Sequence, residues 1–213
     1  MNRRTRDRLI EAAGNLFYER GFQAVGLDQI LGAVGITKTA FYRHFESKDD
    51  LIVAILDHRD RSEVAEAIAY MRRHGGSNPR QQILALFDQL AEWFRRPDFR
   101  GCLFMNAATE FADSGDPIHR AAAAHGQHIA AEILLRMQAA RVRDPQLLTK
   151  QVMLIFSGAI AARHAGSVAD AARSARLAVE SLLATESRGA GAGSGRSPRT
   201  RARRSVRATR ASV

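Results

Sequence analysis

Within a single stretch, Lys38, Thr39, Tyr42, Arg43 and His44 gather fixed cations, a hydroxyl, a phenol and an imidazole. Such groups serve recognition rather than bond-making: cations meet phosphates, and hydroxyls meet phosphates or base edges. Lys48 stands at an expected helix start, where its ammonium and the free amides would hold a further phosphate. The chain carries no Gly-rich phosphate loop, no His-Glu-x-x-His and no carboxylate constellation. Cys102 with His125 or His128 could be drawn as a nucleophile pair, but no local signature supports it. His125 and His128 at i, i+3 have no further ligand placed by sequence. No catalysis, cofactor or metal is therefore expected.

The elements that position these residues read as helices throughout. Period-2 alternation is absent, and turn signals separate segments of helical period. Leu9, Ala13, Leu16 and Phe17 form one stripe on a first helix that Gly21 closes. Short helices follow over 27–34 and 37–45, with Gly35 between them and Thr37 as the N-cap of the second. Ser47 caps a long fourth helix reaching about residue 73. Asn78-Pro79, Asp116-Pro117 and Asp144-Pro145 each open a later helix, the Asx side chain capping and the proline at the first helical position. A shorter helix is expected over 101–112. Gly166-Ser167 is expected to end one helix and cap the last, which runs to about residue 186. Nine helices and an all-α fold result.

The chain has 213 residues with 46% apolar content, enough for a buried core. No apolar run approaches the roughly 20 residues that span a bilayer, and the polar N-terminus lacks a signal region. With a single cysteine, a cytoplasmic protein without membrane association is expected. The net charge of +10 is uneven. Residues 1–48 carry eight bases and five acids, and 49–186 are nearly neutral; 187–213 hold eight arginines and no acid. Positive charge at both ends suits a polyanionic partner. Segment 187–213 reads as a disordered Arg-rich tail, either adding phosphate contacts or simply solvated. Arg3, Arg4 and Arg6 likewise form either a DNA-touching arm or a frayed terminus.

Helices over 27–34 and 37–45, following a longer amphipathic one, have the layout of a helix-turn-helix. Phe22, Leu27, Ile30, Leu31 and Val34 can pack beneath Ile36, Phe41 and Phe45, leaving Lys38 to His44 outward. Residues 35–51, GITKTAFYRHFESKDDL, resemble the DNA-binding domain of the TetR family of transcriptional regulators. The family pattern, roughly G-[VI]-[ST]-x-x-x-[LFI]-Y-x-[HY]-F-x-[SN]-K-x-x-L, is met at every constrained position, and the likeness spans about residues 5–55. Gly26 departs from the usual Ser or Thr cap, so a side-chain phosphate contact is in doubt. Leu31 replaces a frequent Ala.

The resemblance implies a homodimer on a roughly palindromic double-stranded operator, expected to repress and to be released by a small-molecule effector. Its domains would be 1–47 for DNA and 48–186 for ligand and dimerisation. By position, Tyr42, His44 and Lys48 would contact phosphates. Lys38, Thr39, Ala40 and Arg43 would face the major groove, and Thr37 would cap the recognition helix. Tyr42 packed on the first helix and a merely solvated His44 are the plainer alternatives.

Two stripes suggest the dimer face: Leu148, Val152, Ile155, Ala159 and Ala162, then Val168, Ala172, Ala175, Val179 and Leu182. They fit either an intramolecular core or a four-helix seam across a twofold axis. The wealth of small residues favours the seam, and the last two helices form the interface in resembling proteins. Effector walls are expected from Phe87, Trp93, Phe94, Phe104, Met105, Phe111, Met137, Met153 and Phe156. Asn106, Glu110, His125, Gln127 and His128 are its candidate polar groups. The Gly-Cys-Leu…Asn…Glu pattern in 101–110 looks like a subset of the family's C-terminal domains.

Overall fold

A computed structural model describes residues 2–191, with side chains for 4–185. Its described residues form nine α-helices and no strand. In order they are α1 (Asn2–Arg20), α2 (Leu27–Val34), α3 (Lys38–Tyr42), α4 (Lys48–Gly75), α5 (Pro79–Phe94), α6 (Leu103–Glu110), α7 (Pro117–Ala139), α8 (Pro145–His164) and α9 (Ala171–Gly191). No described helix is long and apolar enough to cross a membrane.

The helix starts follow from local chemistry. Asn78 Oδ1 accepts from the amides of Arg80 and Gln81, Asp116 Oδ1 from Ile118 and Asp144 Oδ1 from Leu147. Each satisfies amides that no helical carbonyl reaches, and the adjacent proline has none to satisfy. Ser47 Oγ accepts from Asp50 N at 3.0 Å, while Asp50 Oδ2 accepts from Glu46 N at 3.1 Å. Gly35, at φ 71°, ends α2 in the left-handed region that favours glycine.

Three boundaries differ from the sequence reading. Helix α3 ends at Tyr42 rather than at 45, the amides of His44 and Phe45 both bonding to Phe41 O in a turn. Ser167 does not cap α9: its hydroxyl donates to Ala162 O and closes the end of α8, and α9 begins four residues later. Helix α9 also continues to Gly191, past the expected end at 186. The remainder of the expected tail, 192–213, lies outside the described residues, as does the side chain of Arg3.

Helices α1, α2 and α3 enclose a small core with the first turns of α4. Phe17 stacks on Phe22 at 5.1 Å, and Phe41 lies 5.8 Å from Phe45, all four fully or nearly fully buried. The 28 residues of α4 extend about 42 Å at 1.5 Å each, so one helix serves two cores. Leu51, Ile52, Ile55 and Leu56 are buried near its start, and Ala67, Tyr70 and Met71 near its end. Helix α5 packs against α4, α7, α8 and α9, which is why every residue from Ile83 to Phe87 is buried.

Candidate nucleic-acid interface and interior cavity

Helix α3 is short, and its position rests on what lies beneath it. Thr37 Oγ1 accepts from Ala40 N at 3.2 Å and starts the helix, while Phe41 anchors it from inside. This leaves Lys38, Thr39, Tyr42 and Arg43 exposed and Ala40 and His44 half-buried. Tyr42 is 53% exposed, touching Phe41 only edge-on at 5.3 Å, so its phenol is not held in the core. These residues make an outward ridge of cations and hydroxyls on a rigid base. Around it, Arg6 lies 5.1 Å over the Phe45 ring, and Arg8 Nη2 donates to Val34 O, closing α2.

Lys48 does a second job. It is half-buried, Nζ donates to Phe22 O at 2.6 Å, and the ammonium lies 5.7 Å from the Phe17 ring. One of its protons thus ties the start of α4 to the loop after α1. The same loop is gripped from α6. Glu110, at the end of α6, accepts from Phe22 N at 3.0 Å through Oε1 and from Gln23 N at 2.8 Å through Oε2. Gly21 permits this approach: its φ is 87°, and an added Cβ would come within 3.1 Å of Glu110 Oε1. Tyr18 OH accepts from Arg100 N at 2.9 Å alongside.

A cavity of about 1160 Å³ opens between α1, α4, α5, α6, α7 and α8. Of the residues expected to wall it, Trp93, Phe104, Met105, His125, Met153 and Phe156 do so. Five others do not. Phe87 and Phe94 are buried in the core, Phe87 edge-on against Phe156. Asn106 donates to Arg100 O in a local turn, and Glu110 is the clasp just described. His128 stands largely exposed outside the cavity, with Nδ1 on Asp60 Oδ2 at 2.7 Å. Asp60 Oδ1 also meets His125 Nδ1 at 2.9 Å, so one carboxylate of α4 holds two imidazoles of α7. The His125 ring stacks on Phe104, centroids 3.8 Å apart.

The sequence reading missed what α4 and α5 contribute. Arg59, Ser62, Glu63, Glu66, Tyr70 and Arg73 line the cavity from α4, and Leu86, Gln89, Leu90 and Glu92 from α5. Their signal was a polar stripe at helical spacing on α4, whose ends are buried in two cores. Tyr70 OH donates to Glu92 Oε1 at 2.6 Å; burial and that carboxylate push its pKa up to about 12. Cys102 also lines the cavity, and burial pushes its thiol up to about 11, so it is protonated at neutral pH. Burial lowers the pKa of His125 against the opposing pull of Asp60. Among the described residues no group of three or more His, Cys, Asp or Glu side chains could hold a metal ion.

The expected dimer stripes are largely covered by the chain itself, with Val168 38% exposed. Leu148, Val152, Ala159, Ala172, Ala175 and Val179 are buried within the single chain, and Ile155, Ala162 and Leu182 are half-buried. They are the packing between α8, α9 and their neighbours, because the apolar period faces the protomer's own core. The outer faces carry Leu154, 75% exposed, with Leu147 and Leu177, both about half exposed.

Residues 9–55 match the model for bacterial regulatory proteins of the tetR family, and 79–179 match the tetracyclin repressor-like C-terminal domain. Over 118 residues the chain is 29% identical to the HTH-type transcriptional repressor NemR of Escherichia coli K12. That stretch covers 55% of this chain and 59% of NemR. Among solved structures, SCO4454, a TetR-family transcriptional regulator from Streptomyces coelicolor, superposes with a TM-score of 0.78 at 30% identity. The alignment covers 86% of this chain and 90% of that one. The sav143 chain of Streptomyces avermitilis gives 0.73 at 31% identity, covering 88% and 98%.

Proposed function

Because the chain belongs to the tetR family of bacterial transcriptional regulators, we propose that it represses by binding a palindromic operator as a homodimer and is released by a small molecule entering its cavity. The observation that carries the DNA reading is the exposed α3 ridge, with Tyr42 and Arg43 free of the core that holds Phe41. Lys38, Thr39, Ala40 and Arg43 read the major groove; Tyr42 and His44 meet phosphates on its banks. The protons of Lys48 not used by Phe22 O add a phosphate contact at the start of α4.

Release is a population shift between two settings of the domains. The cavity wall supplied by α6 ends in Glu110, and Glu110 holds the loop whose Phe22 carbonyl receives Lys48. A ligand that favours another setting of α6 or α4 moves this junction and the ridge with it. Two ridges must sit about 34–36 Å apart to enter successive major grooves. A coupling of about 1–3 kcal/mol changes operator affinity about 5- to 150-fold.

Selection of bound duplexes from a random pool tests the reading. An enriched palindrome is expected, and Tyr42→Ala or Arg43→Ala should weaken it with the fold intact by circular dichroism. Loss of a base contact costs about 1–3 kcal/mol, and loss of a phosphate contact lowers the salt slope by about 1. Unchanged affinity in both variants would remove α3 as the reading element.

A further inference from the structure

The cavity's polar groups are unevenly signed. Three carboxylates line its α4 and α5 walls: Glu63, Glu66 and Glu92. Three arginines line it too, and each already has a partner. Arg96 is doubly bonded to Asp98, Arg73 lies over Tyr70 and donates to His74, and Arg59 lies 5.8 Å from the Tyr18 ring.

Glu63 is the most buried of the three carboxylates, half-buried where Glu66 and Glu92 are exposed. Its recorded ion pair is one long contact, Arg59 Nη1 to Oε1 at 3.4 Å. Glu63 and Cys102, at the start of α6, both line the chamber. Burial first, then the charges of Glu66 and Asp60, push the pKa of Glu63 up against the pull of Arg59. A half-buried carboxylate whose ion pair is long is stabilised by a cation brought beside it. The apolar walls do not oppose such a guest. Aromatic faces of the kind Trp93, Phe104 and Phe156 carry attract positive charge, and the rings cover an apolar body. An anion would instead meet acids and arginines already engaged.

We infer that the cavity takes an organic cation, its aromatic or branched aliphatic body against Trp93, Phe104 and Phe156 and its positive group at the Glu63 carboxylate. This rests on the cavity being the effector site.

Three probes of matched shape test it by calorimetry on the full chain at neutral pH: 2-naphthylmethylammonium, 2-naphthalenemethanol and 2-naphthoate. The ammonium should bind at least about tenfold more tightly than the alcohol, as a charge-assisted contact in a desolvated site requires. Glu63→Gln should shrink that ratio to within about threefold and leave the alcohol's affinity unchanged. If the alcohol or the naphthoate binds as tightly as the ammonium, the cation preference is wrong while the cavity remains a ligand site. A preference that survives Glu63→Gln removes Glu63 as the anchor. Failure of all three to bind overturns the cavity reading, and the inference with it.

Discussion

Asp60 meets two imidazoles on α7 at once, and the two differ in how they are wetted. The His125 side chain is 14% exposed and stacked on Phe104; that of His128 is 56% exposed. Desolvation penalises the imidazolium at His125, so its folded pKa lies below its ordinary value. An unfolded chain then binds a proton there more readily than the folded one. The stability contributed is present above about pH 6.5 and is lost as pH falls through the folded pKa. Denaturant unfolding of the wild type should weaken between pH 7 and 5, with His125 adding at most about 1.4 kcal/mol per pH unit to the slope. His125→Gln should remove that increment, and identical slopes in the two proteins would show that His125 titrates as it does in water. Cys102 behaves as a small buried hydrophobe, its thiol protonated, consistent with a non-covalent guest.

Helices and their caps were legible in the sequence wherever the cause was local. Asn78, Asp116 and Asp144 each capped as read, because an Asx side chain and a following proline act within one turn. Thr37 and Phe41 likewise put the α3 ridge outward. What remained hidden depended on distant partners. The stripe through Leu148 and Val152 has the same period whether its cover is α9 or a second protomer, so periodicity could not assign it. Glu110 bonds an amide 88 residues away, and no spacing rule links them. That clasp makes the α6 terminus part of the DNA-binding half, which leads to a measurable consequence. Glu110→Ala removes both acceptors and should cost about 1 kcal/mol, the Phe22 amide being part-buried and that of Gln23 open to water. Hydrogen exchange should accelerate at the Phe22 and Gln23 amides ahead of the α2 amides. Wild-type protection at both would show that the loop keeps its shape without α6.

At the scale of the molecule, charge and symmetry must agree. The N-terminal 48 residues carry a net excess of three bases, while 49–186 are close to neutral, so attraction to duplex is concentrated where α3 lies. A single ridge reads only one half-site; two in fixed relation need a seam that leaves them free. For the proposed homodimer, the outer faces of α8 and α9 fit that seam. Leu147, Leu154 and Leu177 stand out from helices whose inner faces are already filled, and Gly158, Ala161 and Ala178 among them let a second copy approach closely. Leu154→Glu places a charge at the most exposed of these leucines. It should leave the helical spectrum intact and convert a dimer, twice the 23.4 kDa chain, to a monomer by sedimentation. Operator binding should fall with it, since each half-site is then held alone. Val152→Ala, two residues of helix away and turned inward, should do the reverse: it lowers stability by on the order of 2 kcal/mol and leaves the mass a dimer's. Were Leu154→Glu to remain dimeric and Val152→Ala to dissociate, the inward stripe would after all be the seam.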